Sequence, residues 1–230
     1  SAIATAIFPA LARLSDDEEG FTATLQRGLR LVLFIGLPAS VGLILVRGPL
    51  AAVIFQGGQF TIDDSQRVAF VLIGYAPAVW AYSMMHVFTR AFYARGDSKT
   101  PVRIAASVVI LNLILNVVLI WTPLRESGLA WSTAICSVVQ VFALGVLVRR
   151  QTRQLLSREV TAGWIRTVII TGVMTGVVLI VLSLMNGAVQ SWTGSLVRLA
   201  AAVGVGVVIY VAGAVTLRMP EWRWALGRAE

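Results

Sequence analysis

Six runs of about twenty residues, 29–46, 68–89, 102–121, 128–148, 163–185 and 195–217, carry no Asp or Glu and at most one Arg each. A helix needs about 20 apolar residues to cross the hydrocarbon core of a bilayer. Lipid offers no partner to open backbone groups, so runs of this length can span only as helices. They are too long and too continuously apolar for barrel strands. A seventh run, "SAIATAIFPALARL" at 1–14, is shorter. It has neither the basic n-region nor the small-residue cleavage site of a signal peptide. It reads as the last part of a helix whose start lies further upstream, which makes the chain a fragment. The expected fold class is an all-α polytopic membrane protein with six full transmembrane helices plus a truncated first one.

Composition agrees. Of 230 residues, 57% are hydrophobic and 13% charged, with a mean hydropathy of +0.82. Soluble domains average about 45–50% apolar and about 25% charged. The net charge of +8 raises the question of nucleic acid. Placement answers it, because the charges fall in the gaps between apolar runs. Alternate gaps, 12–30, 90–103, 149–166 and 218–230, hold fifteen of the nineteen basic residues. The opposite gaps hold only Arg47, Arg67, Arg125 and Arg198. The positive-inside rule puts the first set, and with it the C-terminus, in the cytoplasm. The single cysteine, Cys136, lies in an apolar run and reads as a small packed hydrophobe.

Finer features follow. Pro38 should kink its span, whereas Pro101 opens one, where a missing N–H costs little. Gly172 with Gly176, and Ala200 with Gly204, have the small-xxx-small spacing that lets helices approach closely. In the connection 47–64, the apolar stretch 50–55 is too short to span and reads as a half-helix at the interface. Gly57–Gly58 marks a turn there. Asp16 to Glu19 read as a solvated helix start, since acids suit helix N-termini. Trp222 and Trp224 flank Arg223 in an amphipathic interfacial tail.

The sequence argues against catalysis. No carboxylate pair lies within the spans for acid–base work, and one His and one Cys cannot make a zinc set. No G-x-x-x-x-G-K-[ST] loop is present to bind nucleotide. His86, near the basic end of its span, could line a cavity or pack as a polar residue. Asn112 and Asn116, four apart, share one helix face. With Ser132, Thr133 and a loosened carbonyl near Gly128, they offer oxygens to a hard cation such as sodium. The same groups could equally join two helices by hydrogen bonds.

The stretch "RAFYARGDSKTPVR" at 90–103 resembles a signature loop of the MurJ (MviN) lipid II flippase family. Its residues here are Phe92, Tyr93, Asp97, Lys99, Thr100 and Pro101. "FPALARL", "LPASVGLILVRGPLAAVIFQGGQFTIDD", "NLILNVVL" and "GLAWST" continue the likeness in order. The resemblance implies a member of the multidrug/oligosaccharidyl-lipid/polysaccharide exporter superfamily, with fourteen spans in two six-helix lobes plus two added helices. Residues 1–150 would belong to the C-terminal lobe, from the end of span eight. Residues 151–230 would be the two added helices and a cytoplasmic tail, with a groove suited to a lipid tail.

It further implies alternating-access transport, in the bacterial cytoplasmic membrane, of the undecaprenyl-pyrophosphate-linked peptidoglycan precursor. Its partners would be lipid II, membrane lipids, the N-terminal half of the same protein and wall-synthesis proteins, with no nucleic acid. Arg90 is the candidate for the pyrophosphate, with His86 one turn away. Some members of the family carry a sodium site in this lobe, to which Asn112, Asn116 and Ser132 or Thr133 would contribute by position, with an acidic ligand from an earlier span. An acid often found near the second of these positions is Asn116 here. Competing readings are a related polysaccharide-lipid or multidrug exporter and a membrane scaffold of the wall-synthesis machinery.

Overall fold

A computed structural model describes residues 2–55, 61–152, 155–185 and 192–225. Among these the chain is helical: α1 (Ala2–Arg13), α2 (Glu18–Phe55), α3 (Ile62–Ala94), α4 (Lys99–Ile120), α5 (Glu126–Gln151), α6 (Arg158–Leu184), α7 (Trp192–Thr216) and α8 (Pro220–Ala225). Six of them, α2 to α7, are long and apolar enough to cross a membrane. The helices outrun the apolar windows. α2 has 38 residues, about 57 Å at 1.5 Å per residue against a hydrocarbon core of about 30 Å. The acids read from sequence as lying between helices therefore sit largely in first turns: Glu18 and Glu19 of α2, Asp63 and Asp64 of α3, Glu126 of α5 and Glu159 of α6. Negative charge is stabilising there.

Two expectations need correction. Residues 50–55 do not form a separate interfacial helix, because α2 runs through Pro49 to Phe55 without a break. The small residues at 172, 176 and 204 do not mediate close packing: a Cβ at Gly172, Gly176 or Gly204 would meet nothing within 4 Å. Their stripe faces away from the bundle. The close approach lies elsewhere. A Cβ on Gly74 of α3 would come 2.7 Å from the Ala130 Cβ of α5, so those two helices touch backbone to backbone. Gly57–Gly58 falls outside the described residues.

The signature stretch turns out to be a corner. Phe92 is 1% exposed and anchors α3 in the core. Gly96, at φ 75, takes the left-handed position after the helix. The Asp97 N–H donates to the Phe92 carbonyl at 3.0 Å and the Gly96 N–H to that of Tyr93, also at 3.0 Å. This is a Schellman stop. Asp97 then starts α4: its Oδ1 accepts from the N–H of Lys99 at 3.1 Å and of Thr100 at 3.0 Å. Pro101 is the buried residue of α4, placed in the first turn where no N–H is missed. Arg95 closes the corner, donating to the Gln151 carbonyl at 2.8 Å and lying over the Phe21 ring.

Two cores result. The first joins α1, α2, α3 and α5 through Leu11, Phe21, Leu29, Phe88, Phe92 and Leu144. The second joins α2, α6 and α7 through Phe34, Ile170, Met174, Val178, Tyr210 and Ala214. The helices at 158–184 and 192–216 thus pack on α2.

Candidate functional site: an apolar groove with a basic mouth

The second core is incompletely filled. Between α2 and α7, floored by α6 and ended by α8, lies a groove of about 540 Å³. Small or backbone-like residues leave the space, chiefly Pro38 and Gly42 on α2 and Ala202 and Gly206 on α7. A Cβ on Gly42 would touch nothing within 4 Å. Ile35, Val203 and Val207 add apolar wall, and no charged side chain lines it.

Three contacts fix its walls. Pro38 has no N–H, so the carbonyl of Phe34, four residues earlier, has no donor within α2. The Tyr210 hydroxyl of α7 supplies one at 2.5 Å, and the two rings lie 5.1 Å apart. At one end, the Trp192 Nε1–H donates to the Val53 carbonyl at 3.0 Å. At the other, α8 docks on α2. The left-handed Arg218 (φ 48) turns the chain after α7, and Glu221 Oε1 accepts from Arg30 Nε at 2.7 Å. That pair is buried, at 1% and 12% side-chain exposure. Gly163 of α6 makes room for it: a Cβ there would fall 2.9 Å from Glu221 Oε1 and 3.0 Å from Arg30 Nε. Trp224 packs beneath two guanidinium groups, Arg27 at 4.7 Å and Arg30 at 5.1 Å from its ring centre. Trp222 and Ala225 border the groove itself.

The sequence-predicted residues lie elsewhere. Arg90 and His86 share one face of α3, a helix that does not line the groove. Arg90 stands over the Phe8 ring of α1 at 5.2 Å, and His86 is exposed one turn before it. Asn112, Asn116 and Ser132 do come together. The Asn116 amide donates to Asn112 Oδ1 at 3.1 Å, the Asn112 amide to Ser132 Oγ at 3.4 Å, and the Ser132 hydroxyl to Asn116 Oδ1. The ring joins α4 to α5, and the Ser132 hydroxyl shares its single proton between Asn116 Oδ1 and the Leu129 carbonyl at 2.8 Å. Thr133 stays outside it, donating instead to the Leu129 carbonyl at 2.9 Å.

As a sodium site the set fits poorly. It offers neutral oxygens only, both amide oxygens already accept a hydrogen bond within the ring, and no carboxylate joins it among the described residues. As an interhelical clamp it is complete.

The resemblance implied a groove at the two added helices, but sequence reasoning missed its lining residues and the contacts that bolt it. The signals were present: a mid-span proline that frees a carbonyl, a tyrosine deep in the last apolar run, and a glutamate inside "MPEWRW". Their pairing needs three dimensions.

A bundle of six span-length helices with an apolar groove defines a polytopic membrane protein. The family can be named as well. The model of the family described as "Lipid II flippase MurJ" matches residues 1–200, and the chain belongs to that family. It is 32% identical over 215 residues to a "Probable lipid II flippase MurJ" of Vibrio cholerae, covering 92% of this chain and 41% of that protein. It is 29% identical over 136 residues to the "Lipid II flippase MurJ" of Thermosipho africanus, covering 58% and 28% respectively. A solved structure, "Lipid II flippase MurJ, inward closed conformation", shares the fold with a TM-score of 0.75 at 22% identity, over 94% of this chain and 42% of that one. The chain thus spans about two-fifths of the Vibrio relative and of the solved structure.

Proposed function

We propose that this chain supplies the C-terminal part of a lipid II flippase. Its groove would receive the polyprenyl tail while the headgroup of the undecaprenyl-pyrophosphate-linked disaccharide-peptide crosses from the cytoplasmic to the outer leaflet by alternating access. The groove carries this reading. An apolar cleft of about 540 Å³ on a membrane-spanning bundle, without a charged lining residue, suits an alkyl or isoprenyl chain and no polar solute. Membership of the family supplies the substrate class. The distribution of basic residues supports a bacterial cytoplasmic membrane setting with α8 on the cytoplasmic side. Transport asks no catalytic dyad of this region; it asks for helices that move around a path.

The test is a chimera in which this chain replaces the matching part of the Vibrio cholerae relative. In cells depleted of their own flippase it should restore wall synthesis. The same chimera with Gly206→Trp, which fills the groove, should not. Failure of the first chimera despite normal membrane expression would overturn the assignment.

A further inference from the structure

We propose that Arg27 holds the phosphate of the lipid whose tail lies in the groove, at a loading position beside α8 and outside the helix bundle's interior. The proposal rests on the flippase reading and adds to it a headgroup residue and a place.

Geometry comes first. The groove follows α2 from Phe34 to Val46, about 18 Å of helix, close to the roughly 15 Å depth of one hydrocarbon leaflet. Arg27 precedes Phe34 by two helical turns and so lies on the same face, about 10 Å beyond the end of the groove. The polar layer on each side of a bilayer is about 5–8 Å thick. A lipid lying along the groove would place its phosphate just beyond the Phe34 end, on the side of Arg27.

Charge comes second. Two arginines flank Trp224, but they are not equivalent. Arg30 is neutralised by Glu221 at 2.7 Å. Arg27 has the indole face at 4.7 Å and no carboxylate partner among the described residues. The ring steadies the guanidinium, which stays half-exposed. Its N–H edge matches phosphate oxygens two at a time, which an ammonium cannot do. Trp222 and Trp224 are amphipathic rings of the kind that settle at headgroup depth. Arg90, by contrast, lies over Phe8 on a helix that does not reach the groove.

The experiment uses the purified chain in nanodiscs of zwitterionic lipid, with binding read by native mass spectrometry. The probes are undecaprenyl pyrophosphate, undecaprenol and phosphatidylglycerol. The wild type should prefer the pyrophosphate over the alcohol by about tenfold or more, the size of a charge-assisted hydrogen-bond pair. Arg27→Gln should remove that preference and leave undecaprenol binding unchanged. Arg27→Lys should keep part of it, and serves in place of the glutamine variant should that one not fold. Gly206→Trp should weaken both isoprenoid probes.

If Arg27→Gln keeps the preference while Gly206→Trp weakens both probes, the inference falls and the groove reading stands. If Gly206→Trp binds both as the wild type does, the groove reading falls and takes this one with it. Phosphatidylglycerol binding as tightly as the pyrophosphate, with the same dependence on Arg27, would overturn the assignment to a polyprenyl lipid.

Discussion

Around α3 the space between helices is closed by large side chains: Phe21, Phe88 and Phe92 interlock with Leu29 and Leu144. Around α7 the corresponding space is lined by Gly42, Ala202 and Gly206 and stays open. The difference extends to polar groups. In the filled half they serve the Gly96 and Asp97 corner and short bridges between neighbouring helices, such as Ser40 to Trp80 and Arg95 to Gln151. In the open half they reach far in sequence, joining Tyr210 to Phe34 and Glu221 to Arg30. Helices in lipid gain no hydrophobic drive to associate, so packing and hydrogen bonds must hold them. Where packing is complete, such bonds supplement it. Where a cleft is kept, its walls are bolted at the ends and the middle.

The largest effects should separate the two halves. Phe92→Ala removes a ring that is 1% exposed and should cost about 3–5 kcal/mol. Val207→Ala trims a groove wall that is 56% exposed and should leave thermal stability nearly unchanged. Comparable losses for both variants, measured by melting in the same detergent, would erase the distinction. Next in size, Glu221→Ala leaves Arg30 buried without its partner. Breaking such a pair costs about 3–5 kcal/mol when both groups are desolvated, and the residual exposure of Arg30 favours the lower end. Hydrogen exchange in α8 should rise while exchange in α3 does not. Equal rises in both helices would mean that α8 does not belong to the groove half alone.

Much of the filled half was legible in the sequence. The spans follow from hydropathy and the start of α4 from one proline, because each acts within a few residues of itself, whereas the helix ends lie beyond the apolar runs. The clamp was half legible. Asn112 and Asn116 share a face by spacing, but only the fold selects Ser132 over Thr133, adjacent residues that point in different directions around α5. The groove was not legible from the residues. Gly172 and Gly176 advertise close packing and face outward, whereas Ala202 and Gly206, at the same spacing, line the cleft with Gly42. A spacing rule names which residues share a stripe, and it cannot say which stripe meets a neighbour. Glu221 and Arg30 lie 191 residues apart, and nothing local couples them.

A smaller effect tests the clamp. α4 contributes little burial, and Pro101 is its buried residue, so the amide ring should matter to its attachment. Asn116→Leu breaks the ring and should cost about 1 kcal/mol, the usual size of an interhelical hydrogen bond in membranes. The melting temperature should be the same in sodium and potassium chloride. A rise specific to sodium, lost in Asn116→Leu, would turn the clamp into an ion site and bring function into the filled half.

The smallest expected effect compares two helix starts that face the basic side. α4 is capped by a carboxylate, Asp97, whereas α6 is capped by a hydroxyl, with Ser157 Oγ accepting from the Val160 N–H at 3.3 Å. The Thr100 hydroxyl, then the N–H groups of Thr100 and Lys99 and the charge of Arg103, hold the Asp97 carboxyl below its ordinary value of 3.8. A carboxyl with a depressed folded pKa contributes its full stabilisation above the unfolded value and loses it as pH falls through the folded one. Protection of the Lys99 and Thr100 amides against hydrogen exchange should therefore be flat from neutral pH down to about 5 and decline below about 4. That of the Val160 amide should change less, because its hydroxyl cap does not titrate. Asp97→Asn should flatten the acid decline at α4 without altering α6. If Lys99 and Thr100 behave identically in wild type and Asp97→Asn at every pH, the carboxylate is not what starts α4.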